Sequence, residues 1–185
     1  MKFPYPENDE AIETVKRHFQ DRENHLNGLR AVLPPRVIAI GEEYGTEDGL
    51  IIKVSRSRSG KDLTLALRCG NIPDGYFDWV LTYKDAEITT DDERTLARLA
   101  RSTMLAQSDH DADLARHELD ITENGGVEHR LEFYVFMHGN VEFAVRCSDI
   151  LWEKIAQPDR KLPRLKECFP GGLPTEYGRY PNPRN

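Results

Sequence analysis

Apolar positions along the chain fall first at helical spacing and then at strand spacing, and that order is repeated. Ile12, Val15, Phe19, Leu26, Leu29 and Leu33 lie three or four residues apart or close to it, which predicts a helix over residues 8–33. Asn8 supplies a cap, and Asp9 and Glu10 suit the positive end of the helix dipole. Arg22 interrupts the apolar stripe and Gly28 weakens it, so a bend or split is expected there before Pro34-Pro35 ends the helix. Residues 37–40 read as a short buried strand and 41–49 as an acidic turn. Three strands follow over 50–55, 62–69 and 76–83, with Leu63, Leu65 and Leu67 on one face of the second and Phe77, Trp79, Leu81 and Tyr83 on one face of the third.

Thr90 followed by Glu93 is a capping-box pattern that opens a second helix to about Ala106, with Leu96, Leu99, Ala100 and Met104 as its buried stripe. A second meander occupies 116–122, 127–137 and 141–147. Val127, Leu131, Phe133 and Val135 share one face, as do Val141, Phe143 and Val145. The hairpin between the first two of these strands carries Glu123-Asn124-Gly125-Gly126. A two-residue turn would set Ile121 opposite Glu128, a charge on the apolar face, so a three-residue loop with Ile121 opposite Val127 or His129 is expected. His117 and His129 then share the face of Leu119 and Leu131 and point at the core or at a pocket.

The predicted fold is α+β: two helix-then-antiparallel-meander units, 8–88 and 89–157, sharing a core in one domain over 1–157. A Pro-rich surface-packed tail over 158–185 follows. Residues 77–82 and 141–146 match in character at a constant offset of 64, continued by Asp85 and Asp149, which suggests an internal duplication.

Composition sets bounds on function. The 185 residues carry 32 acidic and 25 basic side chains, a net charge of −7. Such a chain repels a phosphate backbone, so nucleic acid is not an expected partner. No apolar run nears the roughly 18 residues that span a bilayer, and the first residues lack the apolar stretch of a secretory signal, so neither a membrane nor an exported location is expected. The three cysteines, Cys69, Cys147 and Cys168, include no Cys-x-x-Cys pair, and they read as reduced thiols in a cytoplasmic protein.

Charge is unevenly spread. Residues 109–123 hold six acids against Arg116, and 158–185 hold six bases against three acids. The acidic stretch also contains His110, His117 and several carboxylates, the donor types of a zinc, manganese or iron site. Strand-like alternation from Arg116 onward breaks the helical spacing that would align His110, Asp113 and His117, and no metal site is assigned. The turn over 55–61 ends in Gly60-Lys61 but lacks the first glycine and the Ser/Thr of a phosphate-binding loop. Arg94, Arg98 and Arg101 form a cationic ridge on the second helix. No nucleophile elbow or opposed pair of acids is present, so no catalytic residue and no cofactor are expected.

The expectation is therefore a binding protein, an acidic inhibitor or immunity-type partner of a protein with a basic surface. Its candidate acidic face is Asp109, Asp111, Asp113, Glu118 and Asp120, and its candidate pocket is His117 with His129. The alternative is a small metal-dependent hydrolase built around His110, His117, Asp120 and His129. A third reading is a homodimer joined through the strands or the tail containing Tyr177 and Tyr180.

Overall fold

The computed structural model describes residues 2, 12–43, 45–105, 112–135 and 139–162, with only the backbone of 102–105. Helices α1 (Ile12–Leu29) and α2 (Pro35–Gly41) precede strands β1 (Gly49–Arg56), β2 (Leu63–Asn71) and β3 (Gly75–Lys84). Helix α3 (Thr90–Leu105) then leads into β4 (Ala112–Ile121), β5 (Val127–Val135), β6 (Gly139–Cys147) and β7 (Asp149–Gln157). The strands form one antiparallel sheet in the order β6-β5-β4-β1-β2-β3-β7. The fold is thus α+β, with the two meanders on either side of the β1–β4 junction. Residues 77–82 and 141–146 fall in the third strand of each, but the parallel ends at its last pair. Asp85 turns with a positive φ of 49°, whereas Asp149 opens a further strand.

The junction of the meanders is short. Only Gly49↔Leu114 and Leu50↔Asp113 pair across it, which leaves the two halves free to roll toward each other. The last two strands complete the roll. Only Ser148 separates β6 from β7, at opposite ends of the sheet order, and the chain crosses there through a Glu87↔Arg146 bridge and a Ser148 N–H bond to the Lys84 carbonyl. Leu63, Leu65 and Leu67 of β2, Leu81 of β3 and Leu131 and Phe133 of β5 fill the space enclosed, all fully buried. Phe133 and Phe143 stack across β5 and β6 with centroids 6.0 Å apart. Helix α3 packs on β1 and β6, and α2 on β7 and β4.

Several local expectations change. Residues 37–40 are helix, not strand. Pro35 at the first helical turn presets the backbone φ, and Val37, Ile38 and Ile40 all reach the core from one short helix, so tertiary burial overrides their β-branching. Helix α1 ends at Leu29, short of Leu33, and Leu29 is its one buried residue among those described; Ile12 and Phe19 are 73% and 55% exposed. The cap of α3 is Thr89, one residue earlier than expected. Its hydroxyl receives the Asp92 N–H, and Glu93 is released to face Arg56 at 3.6 Å. Strand β7 has no counterpart in the hydrophobic pattern, because its apolar residues lie on both faces. The β4–β5 loop does follow expectation: Ile121 lies opposite Val127, and Gly125, with φ 79°, closes a three-residue loop. Residues 163–185, most of the expected tail, lie outside the described residues.

Candidate functional site

Strands β3, β4 and β5 turn four polar rings into the core. Tyr83 and Trp79 alternate with Leu81 on the buried face of β3, while on the inner faces of β4 and β5 His117 lies opposite Leu131 and His129 opposite Leu119, which makes the two histidines diagonal neighbours. The Tyr83 hydroxyl lies 2.9 Å from His129 Nδ1, and His129 Nε2 lies 3.2 Å from His117 Nδ1. Trp79 packs on His117 with centroids 5.0 Å apart. With both imidazoles neutral, the hydroxyl and the two rings satisfy one another in a single direction along the chain of three. The histidine pair thus lies in the core, as its strand face implied; its partners Tyr83 and Trp79 were legible only as apolar-face residues.

Burial fixes the protonation of this chain. It lowers the His117 imidazole to about 3, with the Arg22 charge acting in the same direction. His129 is held well below the usual imidazole range by burial and by His117. Burial also raises the Tyr83 phenol well above its usual value. The nearby thiols follow: burial pushes Cys147 up to about 12 and Cys69 higher still. The core therefore holds imidazoles, phenol and thiols in their uncharged forms near neutral pH.

The outer face of the same strands is charged and interlocked. Glu128 accepts from Arg130 and Arg146, and these bonds outweigh its burial, so its carboxyl lies below the usual range. Arg116 pairs with Glu132 across β4 and β5. On β2 and β3, Arg68 is 4% exposed and joins Asp78 to the carbonyls of Asp159 and Lys161, which straps the chain after β7 across the sheet.

Of the expected acidic face, Asp109 and Asp111 lie outside the described residues, as does His110. Asp113, Glu118 and Asp120 all point to the outer side of β4, and each has a cation or N–H group beside it. Arg160 approaches Asp113 to 4.0 Å. Glu118 is 8% exposed and accepts the Lys2 backbone N–H at 2.8 Å. Asp120 is bonded by Lys2 Nζ at 3.2 Å and by the Ile121 N–H, and despite partial burial its carboxyl is lowered. These three carboxylates are built into the surface and do not stand out from it.

For the hydrolase alternative, the sheet itself separates the proposed ligands, since His117 and His129 face inward and Asp120 faces outward. Among the described residues no group of three or more His, Cys, Asp or Glu side chains is arranged to hold a metal ion. No described helix is long and apolar enough to cross a membrane. Family models, curated proteins and solved structures were all compared with the chain, and none matches.

Proposed function

We propose that the chain is a non-enzymatic, cytoplasmic binding protein, an acidic inhibitor or immunity-type partner of a protein with a basic surface. Contact runs through Asp109, Asp111 and Asp113, with Glu118 and Asp120 adding to the local field. The observation that carries this reading is the chemical quietness of the interior. Among the described residues, His117, His129, Tyr83, Cys69 and Cys147 are buried in uncharged forms, which removes these groups from acid–base or nucleophilic work in solvent. Function is then left to the outer surface, where the net charge of −7 favours cationic partners. Lys2 and Arg160 already sit on part of this acidic surface, and a partner's lysines and arginines compete with them.

The test is capture of cationic proteins from an extract of the native cell, followed by association kinetics of the captured protein. Steered association slows by about tenfold or more between low and physiological salt. The D109N/D111N/D113N variant is expected to associate slowly even at low salt. An association rate indifferent to both salt and these substitutions contradicts the reading.

A further inference from the structure

We propose that β7 pairs with β7 of a second copy of this chain, antiparallel and centred on Glu153, so that two seven-stranded sheets become one continuous sheet. This inference does not depend on the acidic-partner reading. Strand β7 is an edge: it pairs with β3 along its whole length, and among the described residues its outer side has no backbone partner. An edge of nine residues with no proline and no break in register is a template for strand addition.

The occupant is argued from the strand's own side chains. On the outer face stand Leu151, Glu153 and Ile155, with the two apolar residues each 44% exposed. The inner face is already committed to this chain. Ile150 is buried, Trp152 donates its indole N–H to the Arg36 carbonyl of α2, and Lys154 pairs with Glu43. Glu153 is the midpoint of Asp149–Gln157. Antiparallel pairing about that midpoint uses every residue of the strand and sets Leu151 directly opposite Ile155 of the other copy, twice over by the two-fold symmetry. Shifting the register by two residues in either direction places each of these apolar residues opposite a charge, a polar group or no partner. A partner strand of unrelated sequence would have to reproduce the same apolar-charge-apolar spacing, which a second copy supplies by definition. The one unfavourable contact is Glu153 against itself, and it gives the arrangement a signature.

The test is sedimentation velocity of the full-length chain from micromolar to sub-millimolar concentration. Wild type is expected to show a reversible monomer–dimer equilibrium. Ile155→Lys should weaken it by about tenfold or more, since each substitution strikes the interface twice. Glu153→Gln should tighten it by about two- to fivefold by removing the facing like charges. As a register probe independent of affinity, Glu153→Cys in a Cys168→Ser background should oxidise to a covalent dimer, because residue 153 meets itself on the two-fold axis. Leu151→Cys in the same background should not. Circular dichroism and unfolding midpoints close to wild type establish that each variant is folded. A monomer at every concentration, a dimer unaffected by Ile155→Lys, or equal cross-linking at 151 and 153 overturns the proposal.

Discussion

An imidazole withdrawn from water loses the hydration that favours its charged form, and His117 also feels the Arg22 charge, so its folded value falls to about 3 against about 6.5 in an unfolded chain. Between those values the unfolded state binds the extra proton, so stability rises with pH across the window and is lost as pH falls below about 6.5. His117 alone should cost about 2 kcal/mol between pH 7.5 and pH 5, with His129 adding in the same direction. Urea unfolding at the two pH values measures this, and His117→Gln should flatten the dependence. Tyr83→Phe should destabilise the protein by about 1–3 kcal/mol, because it leaves a fully buried His129 nitrogen without its partner. An unfolding free energy unchanged by Tyr83→Phe would contradict the hydrogen-bonded chain. That the two histidines face inward was legible from strand alternation alone. That they touch each other and Tyr83 was not, because this contact depends on how far the sheet rolls.

At the level of single elements, local chemistry and tertiary burial each prevail in identifiable places. The three-residue β4–β5 loop follows from keeping Glu128 off the apolar face, and the structure obeys that constraint. The cap of α3 lies one residue before the capping box that Thr90 and Glu93 form in the sequence. It is Thr89, and Asp92 also reaches the Ala144 N–H of β6, a link that no local pattern reveals. Thr89→Ala should therefore cost about 1 kcal/mol in thermal or urea unfolding, while Thr90→Ala should cost much less. The reverse ranking would place the cap on Thr90. Residues 37–40 mislead because β-branching describes a preference for strands, whereas three buried side chains on one short helix describe a place in the core. Strand β7 is illegible for the opposite reason: an edge with mixed faces has no alternation to read.

Across the whole molecule, the rolled sheet divides the ionisable groups into two populations. The buried imidazoles, phenol and thiols are uncharged. Those facing outward are drawn into ion pairs, such as Glu128 with Arg130 on its own strand and with Arg146 across on β6. The strap held by Arg68 connects the sheet to the chain beyond β7, and Arg160 then carries it to Asp48 and Asp113. Arg68→Ala leaves Asp78 in a partly buried site without its cation, held among the described residues only by the Gln157 amide, and frees these carbonyls. It should lower stability by about 3–5 kcal/mol and speed amide exchange over residues 158–162. Exchange there at the wild-type rate would mean the strap is held by other contacts. The acidic balance and the two-meander order are both legible in the order of residues alone. The pairing of Asp113 and Asp120 with basic groups from the far ends of the chain is not, since it spans contacts that only the closed fold creates.

The division between a neutral interior and a charged exterior underlies the reading of this protein as a binder. Nitrogen-resolved NMR of the His117 and His129 rings in the native chain, from pH 8 down to pH 5, addresses it directly. Both rings should keep the shifts of neutral imidazole throughout, with a hydrogen-bonded proton protected from exchange with water. Either ring titrating with a midpoint near 6.5 would mean that solvent and protons reach the core, and the interior would have to be reconsidered as a site of chemistry.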